Sequence, residues 1–216
     1  MREVYYISGL GADKSIFQRL DIEVNSQKFI EWIVPERCDS IEDYAKKLIQ
    51  QIDTTKDIIL IGVSFGGIIA TEIAKLINVE DVILISSAKH FSEIPLVYRI
   101  AGKLRLHKIL PTKVLKWANP FTYFFFGMQS KDEKLLLKTI LKNTESSFLK
   151  WAIDKIVNWK NITYRTNFVQ LHGTKDRILP LPKKKNIIKI EHGGHLMVYQ
   201  KSIEISEIIN QTLKKT

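Results

Sequence analysis

The turn around Ser64 constrains the fold of this chain more than any other feature. The five residues 62–66, Gly-Val-Ser-Phe-Gly, follow the apolar run 58–61 and precede a helical pattern that begins at Ile68. A serine between two glycines at this spacing is typical of a tight strand-to-helix turn that raises the serine hydroxyl above a sheet. Glycines are needed there because a side chain would collide with neighbouring backbone. The pattern therefore predicts a buried strand, a strained turn and a helix, with Ser64 presented for attack.

The same stretch has a second interpretation, as a contact between membrane helices, because G-x-x-x-G in an apolar segment is common there. The uncharged residues extend only from Ile58 to Thr71, with Asp57 and Glu72 on either side. Crossing a bilayer takes about 20 apolar residues. We therefore predict no membrane span.

The length and the cysteine count place further limits on the chain. Its 216 residues suffice for one substantial core, or for a core with an inserted subdomain. Residues 1–8 pass directly into a strand pattern, which leaves no room for a signal peptide and predicts a cytoplasmic protein. Cys38 is the single cysteine, which excludes an intramolecular disulfide. We interpret it as a partly buried residue outside any metal-ligand cluster, and we expect no metal or cofactor.

The positive charge is unevenly distributed along the chain. The formal net charge is +10, to which residues 1–88 contribute −5, residues 89–160 contribute +9 and residues 161–216 contribute +6. The sequence has no zinc-ligand pattern, basic heptad region or RNP-like aromatic motif, so we do not expect a nucleic-acid partner. A solvated basic surface is the simpler interpretation, and an anionic partner is the alternative.

Apolar β-branched runs alternate with amphipathic helical patterns, which indicates a parallel sheet with helices on both faces. The predicted strands are 3–8, 29–34, 57–63, 81–86, 167–172 and 186–190. The predicted core helices are 14–20, 40–52, 65–77, 146–159 and 197–213.

The alternation stops between residues 90 and 144, where the helical segments 96–106, 112–117 and 132–141 replace strands. An insertion of this length is too long for a plain connection. Because open parallel sheets bind ligands at the carboxyl ends of their strands, we predict a helical cap over that edge. The expected division is 1–89 and 145–216 for the core, and 90–144 for the cap.

Two aromatic groups in and beside the cap admit more than one interpretation. The run 121–126 places five aromatic residues close to Gly127, and we favour their packing in the cap's own core over their forming the apolar wall of an acyl pocket. The helix 146–159 is expected to dock onto the sheet or the cap through one stripe, which comprises Phe148, Trp151, Ala152, Ile156 and Trp159.

A serine hydroxyl is a weak nucleophile at neutral pH, so a base must take its proton and a third group must orient that base. His195, in a Gly-Gly-His loop after the last predicted strand, can reach Ser64 from the carboxyl edge, whereas His192 has less reach. Asp176 follows the fifth predicted strand, and the loop after the fourth contains no carboxylate. We therefore predict Ser64 as nucleophile, His195 as base and Asp176 as the orienting acid.

The oxyanion formed on attack needs two preorganised donors. We expect them to be the backbone N–H groups of Phe65, directly after the nucleophile, and of Leu10, in the loop after the first strand. The Gly-x-Gly of that loop is a weak match to a dinucleotide-binding motif, because Lys14 stands where a third glycine is needed. His172 is expected to support a turn.

These motifs together resemble the α/β-hydrolase superfamily over nearly the whole chain. The residues that carry the resemblance are the turn 62–67, the His-Gly-x-x-Asp stretch 172–176 and the Gly-Gly-His of 193–195. It implies an α/β fold with a mostly parallel six-stranded sheet flanked by helices, here without the antiparallel edge hairpin of the superfamily and with the helical cap inserted. Ser8 stands where the family usually has a histidine, which keeps the backbone donor and removes a neighbouring side chain.

The resemblance also implies a reaction. A serine at position 64 argues against the dehalogenase and epoxide-hydrolase branches, which use an aspartate there. What remains is a serine hydrolase acting on a small-molecule carboxylic ester or thioester, or alternatively a cofactor-free lyase, a haloperoxidase-like enzyme or a non-catalytic ligand-binding homologue. Similarity to the family's small carboxylesterases suggests an anionic acyl carrier protein, or an acidic substrate, as a partner of the basic cap, through Lys103, Arg105, Lys108, Lys113 and Lys116.

Overall fold

Six parallel strands form the central sheet. The computed structural model describes residues 2–164, 167–184 and 186–215. The strands are β1 (Arg2–Ile7), β2 (Gln27–Ile30), β3 (Asp57–Val63), β4 (Asp81–Ile85), β5 (Asn167–Gly173) and β6 (Ile188–Ile190). Their order is β2-β1-β3-β4-β5-β6, and all neighbours pair in parallel. The continuous apolar runs favour this arrangement because helices cover both faces of such a sheet, and the prediction of a mostly parallel six-stranded sheet is confirmed.

Helices cover the sheet and fill the segment between residues 90 and 144, for which we keep the name cap. They are α1 (Ile41–Ile49), α2 (Phe65–Leu76), α3 (Leu96–Lys103), α4 (Thr112–Leu115), α5 (Pro120–Phe126), α6 (Lys131–Asn143), α7 (Ser146–Val157), α8 (Met197–Gln200) and α9 (Ser202–Lys215). Helices α1, α2 and α7 share one apolar cluster with Tyr5 and Leu60, while α9 shares the other with Tyr6 and Ile61. Successive residues of a strand point to opposite faces, so each strand contributes to both clusters.

The edge strand β2 differs most from its prediction. The predicted strand 29–34 is wrong in position, because β2 pairs with β1 from Gln27 to Ile30. Beyond Ile30, side chains from the α1 region take the backbone groups that a strand would offer to its neighbour. The Gln51 side chain accepts from the N–H of Glu31 (2.9 Å), and the Tyr44 hydroxyl bonds to the backbone of Ile33. The hydrogen bonds therefore draw the chain out of the sheet after four residues.

Three other elements are shorter or divided. The predicted helix 14–20 is a 3₁₀ turn at Lys14–Phe17, capped by the Asp13 side chain on the N–H of Ser15. The predicted final helix 197–213 is divided into α8 and α9 at Lys201, whose φ of −118° leaves the helical region. Strand β6 begins at Ile188 rather than at residue 186.

The cap contains one helix that the sequence interpretation did not include. Helix α5 begins with the Asn119 side chain accepting from the N–H groups of Phe121 and Thr122, has Pro120 in its first turn, and ends at Gly127 with φ 76°. Asparagine before the first turn, proline in it and glycine after the last turn are ordinary signals for the start and end of a helix, so this helix could have been predicted from the sequence. The expectation that the aromatic run packs in a cap core is wrong, because Phe121 and two further phenylalanines of α5 are exposed.

Helix α7 joins the cap to the core. It packs on α3 in the cap, while Trp151 buries its ring against Tyr44 and Phe65 and donates its indole N–H to Asp39 O (3.2 Å). The division of the chain into a core and a cap with boundaries at residues 90 and 144 stays a prediction. None of the described helices combines the length and the apolar character that crossing a bilayer requires.

Candidate active site

Ser64 lies on the tight turn between β3 and α2. Its backbone has φ 52° and ψ −118°, a conformation that residues with a side chain rarely adopt. Ser64 N donates to Ile85 O (3.0 Å), and the Ser87 hydroxyl donates to Ser64 O (2.6 Å). The end of β4 and the loop after it therefore hold the strained turn. The sequence carries no motif that would identify Ser87 as this support.

The close approach of β1 explains the glycine at position 66. A Cβ on Gly66 would lie 2.2 Å from the carbonyl oxygens of both Ile7 and Ser8. Both contacts are with main-chain atoms at the end of β1, and the Ile7 backbone cannot move without disturbing strand pairing. Gly9, in the loop after β1, is different, because a Cβ there would lie 3.7 Å from its nearest neighbour, Ser64 Cβ.

Gly66→Ala is expected to lower the free energy of unfolding by about 4 kcal/mol, since the overlap forces backbone displacement. Gly9→Ala is the matched control and is expected to change it by less than about 1 kcal/mol, because its new methyl makes only ordinary contacts. Urea unfolding followed by circular dichroism measures both. Equal stability of the two variants would contradict the packing described.

His195 bridges Ser64 and Asp176 through its two ring nitrogens. Its Nε2 lies 2.9 Å from Ser64 Oγ, and its Nδ1 lies 2.8 Å from Asp176 Oδ2. An ionised carboxylate can only accept, so Nδ1 carries the ring proton and Nε2 accepts from the serine hydroxyl. The structure thus brings together the three side chains that the sequence singled out, from the ends of β3, β5 and β6.

Asp176 is fixed by its own loop. The side chain is buried, and Oδ1 accepts from the backbone N–H groups of Ile178 (3.0 Å) and Leu179 (2.8 Å). Burial acts to raise the pKa of this carboxyl, but the charge and hydrogen bond of His195 and the Leu179 N–H hold the pKa below its usual value. Asp176 is therefore ionised at neutral pH and orients the His195 ring.

His172 supports the same loop from below. It is fully buried on β5, and its Nε2–H donates to Leu179 O (2.5 Å). Burial lowers the pKa of His172 from its usual 6.5, although Leu179 O and the charge of Asp176 act in the opposite direction. The unfolded chain therefore takes up a proton at this position more readily than the folded chain does, and stability falls as the pH drops below about 6.5.

His172→Gln is expected to reduce the pH dependence of Tm between about pH 8 and 5, because the buried group that resists protonation is gone. The amide can still donate to Leu179 O, so the slope, rather than the absolute Tm, is the readout. His192→Gln is the control, since His192 is exposed. An unchanged slope in His172→Gln would show that burial of His172 does not contribute to acid sensitivity.

The loop before His195 is held by backbone contacts. Gly193 O accepts from the N–H of Lys175 (2.9 Å), and Gly193 N donates to Ile190 O (3.1 Å). The Phe126 ring from α5 meets the His195 ring edge-on, with centroids 5.6 Å apart. This contact was missed in the sequence because the aromatic run was assigned to the cap core.

The remaining histidines have other partners. His192 is exposed, and its backbone N–H donates to Thr174 Oγ1 (2.9 Å). In the cap region, the His107 ring lies 2.7 Å from Asp154 Oδ1, and His90 Nδ1 accepts from Ser92 N (3.1 Å).

The loop after β1 lies beside Ser64 and is tied down at two points. The Ser8 hydroxyl donates to Ala12 O (2.6 Å), and the Trp32 indole N–H donates to both Ala12 O and Gly9 O (3.1 and 3.3 Å). The serine that replaces the family's usual histidine therefore braces the loop. Trp32, on the chain beyond β2, carries no sequence signal for this role.

Two backbone donors near Ser64 are free. Within residues 2–164, 167–184 and 186–215, no acceptor pairs with the N–H of Leu10 or with the N–H of Phe65. Phe65 opens α2, where the first N–H groups of a helix have no partner in the helix itself. Both groups are available to an oxyanion, which is the role that the sequence suggested for them.

An apolar cavity of about 420 Å³ lies between the carboxyl ends of the strands and the cap, with Ser64 and His195 in its wall. The other polar side chains in its lining are Tyr98 and Thr144, and the Thr144 hydroxyl already donates to Ile140 O (2.6 Å). The cap side of the cavity combines the aromatic rings of Tyr98 and Phe126 with aliphatic side chains, which include Leu115, Leu137, Leu141, Leu149, Ile153 and Ile156. The site can therefore enclose an apolar group beside the serine hydroxyl.

Cys38 is exposed, so its interpretation as a partly buried residue is wrong. It also belongs to a small group of potential metal ligands, since its Sγ lies within 4.8 Å of carboxylate oxygens of Glu36 and Asp39. Both carboxylates already pair with the Lys47 ammonium, at 2.7 and 2.9 Å. Lys47 thus supplies the positive charge that this acidic group requires.

Solved structures with the same fold include enzymes from several bacteria. An esterase from Thermogutta terrifontis is 15% identical, with a TM-score of 0.67 over 100% of this chain and 90% of its own. MenH from S. aureus is 16% identical, with a TM-score of 0.71 over 99% and 94%. ClbQ from the colibactin NRPS/PKS pathway is 16% identical, with a TM-score of 0.59 over 99% and 97%. At these identities the likeness establishes the fold alone.

Family membership rests on the sequence. No curated protein matches the chain. The model of the Alpha/beta hydrolase family matches residues 31–205, which is more than half of the chain and includes Ser64, Asp176 and His195. The family supports a hydrolase. The chain therefore belongs to the Alpha/beta hydrolase family.

Proposed function

We propose that this protein is a serine hydrolase that cleaves carboxylic esters or thioesters with an apolar acyl group. The observation that carries the proposal is the hydrogen-bonded series from Asp176 through His195 to Ser64 at the wall of an apolar cavity. A buried carboxylate, an oriented imidazole and a strained serine are the parts that nucleophilic acyl transfer needs.

In the proposed reaction, Ser64 Oγ attacks the carbonyl carbon of the substrate while His195 Nε2 takes the hydroxyl proton. The negative charge moves to the carbonyl oxygen, which accepts from the N–H groups of Phe65 and Leu10. Collapse of this intermediate breaks the bond to the alcohol or thiol, which receives the proton from His195. Water, deprotonated by His195, then attacks the acyl-Ser64 ester, releases the acid and restores the serine.

The cavity supports a preference among acyl groups. Its lining is apolar apart from Ser64, His195, Tyr98 and Thr144, so each methylene that enters is removed from water. Such burial contributes about 0.8 kcal/mol per methylene, which corresponds to about a fourfold gain in kcat/KM. A volume of about 420 Å³ lies within the usual range for small-molecule sites.

A series of p-nitrophenyl esters from acetate to hexanoate tests this function. We expect kcat/KM to rise about fourfold per methylene until the cavity is filled. Ile153→Trp, in the cavity wall on α7, is expected to remove that rise, while Ile203→Trp on the exposed surface of α9 leaves it unchanged. A rate that falls steadily with chain length would contradict an apolar acyl site.

The same series separates the proposal from its alternatives. If none of these esters is hydrolysed, and no thioester of the same acyl groups is hydrolysed either, although the protein is folded, a cofactor-free lyase or haloperoxidase-like reaction on the same side chains becomes the better explanation. If Ser64 does not react with an acyl-transfer reagent either, the chain is a non-catalytic homologue.

A further inference from the structure

The cap carries most of the large apolar side chains that are exposed in the described chain. Of the 20 large apolar side chains that are exposed there, 12 lie between residues 96 and 125. They define what we call the cap surface: Leu96, Val97, Ile100, Leu104, Leu106, Ile109, Leu110, Val114, Trp117, Phe121, Phe124 and Phe125. Concentration of so much apolar surface in one segment marks an interaction site rather than the scattered exposure of an ordinary protein surface.

Helical spacing places the apolar residues of α3 and α5 on outward faces. In α3, Leu96, Val97 and Ile100 share one face, while Tyr98 lines the cavity from another. In α5, Phe121 and Phe124 share the outward face, and Phe126 lines the cavity. Because both helices turn their inner faces to the same cavity, both apolar stripes lie on the outside of the cap.

The segment that carries the cap surface is also rich in cations. From residue 94 to residue 130 the chain has no aspartate or glutamate, and it has six cations: Arg99, Lys103, Arg105, Lys108, Lys113 and Lys116. Lys103 and Lys113 are exposed, and neither has an ion-pair partner among the described residues. Cations of this kind border apolar stripes where a helix lies in the plane of a membrane surface.

We propose that the cap surface docks on an anionic lipid bilayer, with the apolar stripes of α3 and α5 in the headgroup region and the lysines against lipid phosphates. Phe, Trp and Leu provide the apolar contact, and each Lys or Arg near such a surface adds attraction to anionic lipid. This binding would place the cavity, and Ser64 in its wall, directly below the lipid surface. The binding itself does not depend on turnover by Ser64.

Two other occupants of the surface are less consistent with its chemistry. A second copy of the chain would bring two surfaces of the same positive charge together, at an electrostatic cost. An acidic protein would balance the charge, but lysine is depleted in protein interfaces, whereas membrane-surface helices combine it with aromatic residues. The anionic carrier protein suggested by the sequence is therefore a competing outcome of the test.

Cosedimentation of the full chain with lipid vesicles tests the proposal. We expect binding to vesicles of phosphatidylcholine mixed with phosphatidylglycerol, and at least about tenfold weaker binding to phosphatidylcholine alone. Lys103→Gln and Lys113→Gln should each weaken the binding about fivefold. Phe121→Ser, at a position 76% exposed, should weaken it about tenfold or more.

Matched variants elsewhere on the molecule are the controls. Ile203→Ser removes an equally exposed apolar side chain (77%) from α9. Lys56→Gln removes an exposed lysine directly before β3, at the amino ends of the strands. Both should bind vesicles as the unmodified chain does, and circular dichroism verifies that every variant is folded. Absence of binding to the mixed vesicles, or equal losses in cap and control variants, would overturn the proposal.

The competing occupants give distinct results. Phe121→Ser converting a dimer into a monomer, as measured by sedimentation equilibrium without lipid, would assign the surface to a second copy and overturn the proposal. Binding of a purified anionic acyl carrier protein, lost in Phe121→Ser, together with no vesicle binding, would assign it to a protein partner and also overturn it. Because vesicle binding needs no turnover, Ser64→Ala should bind vesicles normally, which separates failure of this proposal from failure of the proposed hydrolase.

Discussion

Ser64→Ala is expected to lower kcat on a p-nitrophenyl ester by about 10⁴-fold or more. Ser64 Oγ is the atom that would form the acyl bond, and it is the one hydroxyl within 2.9 Å of His195 Nε2 among the described contacts. Alanine leaves the Phe65 and Leu10 N–H groups in place, so a small residual rate from the oxyanion donors is expected. Steady-state kinetics at saturating substrate measures the effect.

Covalent labelling by a fluorophosphonate supplies a second readout for the same variant. The reagent is expected to label the unmodified chain at Ser64 and to leave Ser64→Ala unlabelled. Ser92→Ala is the control, since its hydroxyl lies beside the ring of His90 and not beside His195. Labelling that persists in Ser64→Ala would assign the reactive hydroxyl to another residue.

Asp176→Asn is expected to lower kcat by about 10³- to 10⁴-fold while leaving the fold intact. The N–H groups of Ile178 and Leu179 both point at Oδ1, so the amide must keep its oxygen there. Its NH₂ group then faces His195 Nδ1 and donates to it. The ring proton moves to Nε2, which donates to Ser64 and can no longer accept its proton.

The molecule contains a matched control for this substitution. Asp154 also lies against a histidine, with Oδ1 2.7 Å from His107 Nε2, but on the cap side of the molecule. Asp154→Asn is expected to leave kcat within about twofold, because no reacting group depends on His107. An Asp176→Asn variant that keeps a comparable rate would show that the orientation of His195 does not limit the reaction.

The central sheet was predictable because its strands report their environment directly. Strands β3 and β4 are continuous apolar runs, and only a sheet covered on both faces buries such runs completely. The edge strand β2 was not predictable to the residue, since side chains of Gln51 and Tyr44 end it from a distance in sequence. The local sequence pattern does not reveal hydrogen bonds to residues that lie further along the chain.

The cap shows a different limit of the sequence. Helical spacing indicates which residues of α5 share a face, but whether that face is buried depends on what packs against it in the folded protein. The aromatic run 121–126 suggested a buried core, whereas the structure leaves Phe121 exposed and directs Phe126 to His195. In the same way, the positions of Ser64, Asp176 and His195 follow from strand ends and loops, whereas Ser87 and Trp32 support them through contacts that no motif encodes.

Gly127, at the end of α5, touches Gly194, in the loop before His195. This contact limits how the cap can move. A Cβ on Gly194 would lie 3.0 Å from Phe126 O and 3.2 Å from the Cα of Gly127, so the two main chains are in contact. The Gln200 amide adds a hydrogen bond to Gly127 O (2.8 Å). Because α5 is in direct contact with the loop that carries His195, a movement of α5 away from the cavity would displace His195 from Ser64 and Asp176. An opening of the cavity for substrate therefore has to leave α5 in place and to come from another part of its wall.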